Sequence, residues 1–277
     1  MSKMILNLCL MLAYCMLTYA QTLQYSGPVS TSMAHVRVLD ASAWATLTNV
    51  SNLATHKLVS VGAAYQLRFN LEELSSRAAT FVVPTSYGTC SALLLQSGYQ
   101  KSHYNRYALS YSRLFGSKVA VGFQYNYLSH YLEGADRSDA FYLALGLKVH
   151  TTEMWTIGVF IQNPEQSKIA YTNTSYALPT FFNVAVQWSA ASHFMMITEF
   201  EKEIEHDLVL KTGMQFNFNN KVMVRGGLKA KPVEFTFGSG FQFGGLGIDV
   251  GFSHHQQLGL TSSAGLTYAF NHKKQIQ

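Results

Sequence analysis

Residues 258 to 270 read LGLTSSAGLTYAF, and their alternation decides the fold. The even-numbered positions are mostly apolar and end in Tyr268 and Phe270, with Ser262 as the one polar exception. The odd-numbered positions carry glycine, alanine, serine or threonine. Because successive side chains of a strand point to opposite faces, this period of two predicts a β-strand with one apolar face and one small, polar face.

The same alternation recurs from residue 57 onward and predicts a chain of about fourteen strands. Apolar residues again alternate with small or polar ones, most regularly in the second half of the chain. The predicted strands span residues 58–69, 76–85, 88–99, 104–114, 118–131, 138–149, 154–163, 180–190, 193–202, 207–218, 221–230, 233–243, 245–254 and 258–270.

The lengths of the connections give a second, independent pattern. Tight turns rich in residues that tolerate positive φ largely alternate with longer links. The turns are 86–87, 116–117, 151–153, 191–192, 219–220 and 244, and the longer links are 70–75, 100–103, 132–137, 164–178 and 203–206. Such alternation is typical of an up-and-down antiparallel barrel, and an even strand number places both termini on the short-turn side.

Composition favours a membrane barrel over a soluble β-sandwich or propeller. Charged residues make up only 13% of the 277 residues, and aromatic residues make up another 13%. The non-apolar strand faces carry mainly small, uncharged residues, which suit a confined interior better than a solvated surface. No stretch after residue 20 approaches the roughly 18 continuous apolar residues of a membrane helix. The net charge of +5 is dispersed, so a nucleic-acid partner is not predicted.

The first twenty residues have the features of a secretory signal peptide. Lys3 precedes an apolar stretch, and a small-x-small site ends at Ala20. A lipoprotein signal that would use Cys15 is the weaker alternative. Cleavage after Ala20 leaves Cys90 as the one cysteine of the exported chain, so no intrachain disulfide is predicted.

The remaining chain divides into three parts. Residues 21–56 lack sustained alternation and predict a periplasmic or lumenal segment, with a short helix over 40–47 that Asp40 or Ser42 caps. Residues 57–270 form the predicted barrel, and 271–277 form a periplasmic tail.

The last strand carries a motif that resembles the β-signal read by the barrel assembly machinery of outer membranes. The motif is Ser263-x-Gly265-x-x-Tyr268-x-Phe270, and seven residues follow it. The export signal, the N-terminal segment without alternation and the count of about fourteen strands together resemble the FadL-type barrel superfamily, and in particular the PorV/PorQ-like outer-membrane proteins of Bacteroidetes.

A second stretch resembles a diverged form of the N-terminal Asn-Pro-Ala-Gly-Leu motif of those proteins. It follows Trp44, with Asn49 and Leu53 as the matching positions, while Val-Ser-Asn replaces Pro-Ala-Gly. The resemblance implies a barrel with an internal hatch or plug. It implies either uptake of a hydrophobic solute or an accessory role in a larger machine, such as the type IX secretion system or the barrel assembly complex.

Charged residues on the polar face of the later strands are the candidate site. Alternation predicts that eight of them point into the lumen: Glu199, Glu201, Lys211, Lys221, Arg225, Lys229, Glu234 and Asp249. Cross-strand neighbours lie close enough to pair by charge. The favoured interpretation is a structural salt-bridge network, and the alternative is a charged ring that selects polar solutes.

Catalytic and metal-binding patterns are not found in the sequence. His254 and His255 are adjacent, so on a strand they face apart and cannot chelate one ion together. No G-x-S-x-G surrounds a serine. The sequence therefore predicts an outer-membrane barrel that is not an enzyme, has no cofactor or metal, and has membrane lipid as its partner, with protein partners if it serves a larger complex.

Overall fold

The structure, a computed structural model, describes residues 25–39, 42–134, 136–171, 174–219 and 221–270. The predicted signal peptide, the predicted tail at 271–277 and the predicted capping residue Asp40 lie outside the described residues. Within the described residues, no helix is both long and apolar enough to cross a membrane.

Fourteen antiparallel strands form one closed barrel, in agreement with the predicted architecture. In chain order the strands are β1 (Val59–Leu67), β2 (Ser76–Pro84), β3 (Thr89–Tyr99), β4 (Ser102–Phe115), β5 (Val119–Leu132), β6 (Ser138–His150), β7 (Trp155–Gln162), β8 (Lys168–Tyr171), β9 (Thr174–Ala177), β10 (Phe181–Ala191), β11 (Phe194–Glu203), β12 (Val209–Phe218), β13 (Val222–Lys229), β14 (Glu234–Phe243), β15 (Leu246–His255) and β16 (Gly259–Phe270). All except β8 and β9 belong to the barrel.

The last strand closes the barrel against the first. Val59 pairs with Phe270, and the register continues to Leu67 opposite Ser262. On its other side β1 pairs with β2, so the wall continues around the whole ring. Closure leaves no unpaired strand edge, which is the condition for a sheet to cross lipid.

The apolar faces of the strands point outward. On β16, Tyr268 and Phe270 are 46% and 45% exposed, whereas Ser263 on the opposite face is 2% exposed. The same holds around the barrel, where outward phenylalanines such as Phe235 and Phe237 are more than half exposed. This inversion of the soluble pattern is the signature of membrane barrels.

Tight turns lie at one end of the barrel, named here the turn end, and most of the longer links lie at the other, named here the loop end. The exception is the link predicted over 100–103, which is a two-residue turn, 100–101, at the loop end. β1 begins at Val59 and β16 ends at Phe270, and both of these residues lie at the turn end, as predicted. The link predicted over 164–178 is not a plain loop, because it contains the two-stranded hairpin β8–β9. Ile169 of the hairpin packs with Leu128 and Tyr142 of the wall. Strands of four residues are too short for a period-two alternation to be detected in the sequence.

Residues 25–39 and 42–56, named here the lumenal segment, lie inside the barrel. The segment contains one turn of α-helix, α1 (Pro28–Ser32), and two 3-10 helices, η1 (Ala43–Leu47) and η2 (Val50–Thr55). Ser42 caps η1, because its side chain accepts a hydrogen bond from the Trp44 N–H at 3.2 Å. The helix predicted there is thus a 3-10 helix, and α1 and η2 were not predicted.

Glycines on the inner face of the wall make room for this segment. A Cβ atom added at Gly146 would lie 1.8 Å from Asn49 Oδ1, and one at Gly251 would lie 2.4 Å from the Pro28 carbonyl oxygen. At Gly265 it would lie 2.7 Å from Trp44 Cζ2. These positions require glycine because the segment approaches the wall backbone closely.

Candidate functional site

Glu199 on β11 is a fully buried carboxylate that binds the backbone of the lumenal segment. Its Oε2 accepts hydrogen bonds from the N–H groups of Arg37 at 2.7 Å and Val38 at 2.9 Å. Its Oε1 accepts one from Asn183 Nδ2 at 2.8 Å and lies 3.6 Å from Lys211 Nζ. One wall side chain therefore accepts hydrogen bonds from two buried backbone N–H groups of the segment. Leaving those N–H groups buried without an acceptor would cost free energy.

Glu201, two residues further along the same face, extends this cluster. Its Oε2 accepts hydrogen bonds from Lys211 Nζ at 2.7 Å and from Asn183 Nδ2 at 2.9 Å. Arg37 Nη1 lies 3.9 Å from the same oxygen. The Arg37 guanidinium also lies over the ring of Phe181, 4.9 Å from its centroid. The lumenal segment thus adds one cation, Arg37, to a charge cluster whose other members lie on the barrel wall.

A second group of charged side chains lies on β13 and β14 at the loop end of the barrel. Lys229 Nζ donates to Glu234 Oε1 at 2.8 Å, and Ser253 Oγ donates to Glu234 Oε2 at 2.8 Å. His35 Nε2 of the lumenal segment lies 3.3 Å from the same Oε2. Lys229 stands opposite Lys211 in the register. Their repulsion is offset because each lysine has its own glutamate partner.

Arg225 and Asp249 form a separate ion pair nearer the turn end. Arg225 Nη1 donates to Asp249 Oδ1 at 2.7 Å, and its Nε donates to Gln215 Oε1 at 2.7 Å. The two charges stand on β13 and β15, so they meet over the intervening strand β14. A Cβ atom at Gly240 of β14 would lie 2.8 Å from Asp249 Oδ1. The glycine is therefore the residue that lets the pair form.

The structure places Lys221 outside the strand that was predicted to carry it. Lys221 is exposed and lies in the turn before β13. Its carbonyl oxygen accepts a hydrogen bond from the Gln242 N–H at 2.7 Å. The predicted strand began one residue too early, because alternation cannot distinguish the first strand residue from the last turn residue. The other seven predicted residues lie on the lumenal side in three groups: Glu199, Glu201 and Lys211; Lys229 and Glu234; Arg225 and Asp249.

The opposite side of the wall holds the segment through residues that the sequence analysis did not single out. Arg106 on β4 is 1% exposed and donates to Asn126 Oδ1 and to Gln124 Oε1, each at 2.8 Å. Its Nη1 reaches the Leu47 carbonyl oxygen at 3.4 Å. Gln124 Nε2 donates to the Thr46 carbonyl oxygen at 2.8 Å. The alternation of β4 that marks Arg106 as inward-facing was a signal that could have found it.

The three residues of the predicted hatch motif are all buried within the lumen. Asn49 caps η2, because its Oδ1 accepts from the Ser51 N–H at 3.1 Å, and its Nδ2 donates to the Val38 carbonyl oxygen at 2.9 Å. Trp44 is 0% exposed and Leu53 is 1% exposed. These residues fold the segment onto itself, which a compact insert in a narrow barrel requires.

The four residues of the predicted β-signal divide between the two faces of β16. Ser263 and Gly265 face the lumen, where Ser263 Oγ lies 3.0 Å from the Tyr25 hydroxyl. Tyr268 and Phe270 face outward, with ring centroids 5.0 Å apart. The motif therefore combines two residues that contact or approach the lumenal segment with two that extend the outer apolar belt.

Two cavities lie at the two ends of the lumen, and β13, β14, β16 and β1 contribute lining residues to both. The loop-end cavity has a volume of about 70 Å³, and Arg37, Lys211 and Glu234 are among its lining residues. The turn-end cavity has a volume of about 210 Å³, and Arg225 and Asp249 are among its lining residues. An engineered apolar cavity of about 150 Å³ accommodates benzene, so the turn-end cavity has the volume for an aromatic ring.

In the part of the chain that the structure describes, no group of three histidine, cysteine, aspartate or glutamate side chains is placed to hold a metal ion. His254 is exposed on the outer face of β15, while His255 lies 5.9 Å from the ring of Phe69, centroid to centroid. The two histidines point apart, as a strand requires.

The chain forms a closed, fourteen-stranded antiparallel barrel with a filled lumen, and this fold is similar to that of solved toluene transporters and of a FadL homologue. A solved structure with this fold is the toluene transporter TbuX of Ralstonia pickettii, with 13% identity and a TM-score of 0.65 over 90% of this chain and 99% of that chain. The toluene transporter TodX of Pseudomonas putida has 11% identity and a TM-score of 0.68 over 90% of this chain and 100% of that chain. A FadL homologue of Pseudomonas aeruginosa has 9% identity and a TM-score of 0.62 over 89% and 98%. No protein-family model and no curated protein sequence matches the chain.

Proposed function

We propose that this protein is an outer-membrane barrel that admits a small hydrophobic solute, and that the lumenal segment is its plug. The closed wall and the outward apolar belt support a position in lipid. The fold similarity to toluene transporters supports the class of solute. In this proposal, residues 1–20 act as the export signal and residues 271–277 lie in the periplasm, as does the turn end.

The observation that carries the proposal is the pair of cavities at the two ends of the lumen. β13, β14, β16 and β1 contribute lining residues to both, and α1 and Trp44 lie between them. On β13 the two cavities are marked by Lys229 and Arg225, four residues apart, which is about 13 Å along a strand. A solute that enters at the loop end would reach the turn end once α1 moved over this distance.

The wall beside α1 consists of the smallest side chains. Gly238 and Gly251 face Ser32, and Gly265 faces Pro28 and Trp44. Thr236 Oγ1 accepts a hydrogen bond from the Ala34 N–H at 2.8 Å and donates one to the Ser32 carbonyl oxygen at 3.1 Å. In the proposed cycle the whole lumenal segment moves, α1 and η1 together, and these are among the contacts that break when the solute passes.

A reversible cross-link tests the proposal. Thr46 of the lumenal segment and Thr80 of β2 are buried, with their Oγ1 atoms 2.8 Å apart. The substitutions Thr46→Cys and Thr80→Cys, in a Cys90→Ser background, place two sulfurs within reach of a disulfide. Uptake of radiolabelled toluene by Gram-negative cells that produce the protein is the measurement.

We expect the oxidised double variant to lose most of the uptake and to regain it when dithiothreitol reduces the disulfide. The Thr46→Cys single variant is the control and should be insensitive to oxidation. Uptake equal to that of cells without the protein, in every variant, would refute a role as an uptake channel. Uptake that the cross-link leaves unchanged would refute the plug.

A second candidate function is an accessory barrel of a larger outer-membrane machine, such as a PorV-like component of the type IX secretion system in Bacteroidetes. The observation that favours it is the density of contacts that fix the segment, with Glu199 and Arg106 holding it from opposite sides. Gentle affinity purification from native membranes distinguishes the two. A stoichiometric partner that co-purifies supports the accessory role, and a barrel that purifies alone supports uptake.

A further inference from the structure

The turn-end cavity has features of a binding site that are independent of the loop-end charges. Its lining residues include Ser42, His56, Arg225, Gln242, Asp249 and Thr267. Its volume of about 210 Å³ exceeds the roughly 150 Å³ that accommodates benzene, and the difference leaves room for a ring substituent. We infer that this cavity binds a small neutral aromatic solute that carries a hydrogen-bonding group, such as a phenol.

The requirement for a neutral solute follows from the charges in the cavity wall. Arg225 and Asp249 are paired at 2.7 Å with side chains only 4% and 10% exposed. The remaining Arg225 nitrogens are also engaged, because Nε donates to Gln215 and Nη2 lies 3.4 Å from Met223 Sδ. An anion or a cation would have to compete with a compensated, buried ion pair and would lose its own hydration, which is costly.

The remaining wall is also uncharged under ordinary conditions. Burial lowers the pKa of His56 below its ordinary value, and the Lys148 charge acts in the same direction. His56 is therefore neutral near neutral pH. Met223 and Ala269 contribute apolar surface to the same cavity.

Recognition of an aromatic ring and of a polar group follows from the same lining. A guanidinium that lies over an aromatic face gains cation–π attraction. Arg225 can interact with a neutral ring in this way, because Asp249 already supplies its counter-charge. Ser42, Gln242 and Thr267 bring hydroxyl and amide groups to the cavity. A hydroxyl on the ring can therefore exchange hydrogen bonds that benzene itself cannot make.

Small residues on β14 to β16 keep this cavity open. Gly240 lies beneath the ion pair, and Gly245 and Ala269 also line the space. Nearer the loop end the equivalent small residues are covered by the lumenal segment, as at Gly251 and Gly265. The turn-end cavity is thus space that the segment leaves unfilled. As a solute site it rests on the proposed uptake function, since it would hold the solute before release.

Binding of 4-fluorophenol to the full-length protein in detergent, followed by ¹⁹F NMR, tests the inference. The wild-type protein should show a saturable component, and 4-fluorobenzoate should bind at least tenfold more weakly. Ala269→Phe fills the cavity and should weaken 4-fluorophenol binding at least tenfold. Ala269→Leu, a smaller replacement, should weaken it in the same direction.

Ala264→Phe is the matched control, because Ala264 lies on the same strand but faces outward. It should bind 4-fluorophenol as the wild type does. Unsaturable partitioning alone, equal binding of 4-fluorobenzoate, or unchanged binding by folded Ala269→Phe and Ala269→Leu would each overturn the assignment. Because binding is measured without transport, failure of toluene uptake with intact binding would refute the uptake function and leave this site in place.

Discussion

Glu199 is the residue whose removal most directly loosens the lumenal segment. The change Glu199→Leu keeps a similar volume but leaves the N–H groups of Arg37 and Val38 without their acceptor and reduces the compensation of Lys211. Removing one partner from a buried charged network costs about 3 to 5 kcal/mol. We expect a loss of that size in the free energy of unfolding, measured by urea denaturation of the refolded protein in detergent.

Glu133→Leu provides the comparison for this prediction. Glu133 pairs with Lys101 at 3.1 Å, but the two side chains are 59% and 66% exposed. Exposed pairs contribute between about 0 and 1 kcal/mol, so this variant should unfold near the wild-type urea concentration. Equal urea midpoints for the two variants would show that Glu199 does not hold the segment in the way the hydrogen bonds imply.

Single residues of the candidate site were predictable where strand alternation reached them. Glu199, Lys211 and Arg225 were placed on the lumenal face because a strand gives each residue a definite side. Arg37 was not found, because it lies in a segment without periodicity and meets Glu201 only through the tertiary fold. The sequence also did not show which charged residues pair with each other. The contact between Arg225 and Asp249 across β14 depends on Gly240 and on the register of the strands.

At the scale of the strand, the end of β16 supports a prediction about assembly. Phe270 is the last strand residue, faces outward and pairs with Val59 of β1. If the motif that ends there is the β-signal, Phe270→Ala should lower the folded, heat-modifiable fraction in outer membranes several-fold. Phe243→Ala is the matched control, because Phe243 is also the outward-facing last residue of its strand at the turn end and is 59% exposed.

The two variants remove the same ring from the same apolar belt, so their transfer energies to lipid are alike. A specific loss for Phe270→Ala therefore reports recognition during assembly rather than stability in the membrane. Equal folded fractions for the two variants on unboiled gels would contradict the β-signal assignment.

The strands were predictable as elements, and the lumenal helices were not. Period-two alternation over eight to fourteen residues located the barrel strands within a few residues, as for β4 and β16. The helix α1 has five residues and every one of them is buried, so it has no amphipathic pattern to detect. The hairpin β8–β9 is equally short, and its position depends on packing against Tyr142 and Leu128.

The whole molecule combines a closed wall with an insert that the wall is shaped to hold. The sequence indicated a narrow lumen through the small residues of the inner face, and Gly146 and Gly265 are where the insert approaches the wall backbone. What the sequence could not show is which volume stays empty. The cavities at the two ends depend on how α1 and Trp44 pack, which only the assembled barrel defines.

The central claim is that the lumenal segment closes a barrel that would otherwise be open. The most direct measurement is conductance of the purified protein in a planar lipid bilayer, with and without residues 25–56. The full chain should stay near the baseline, and the deletion variant, shown to be folded by heat-modifiable mobility, should give stable conductance steps. Steps of the same size from the full chain, or a folded deletion variant that stays silent, would contradict the account.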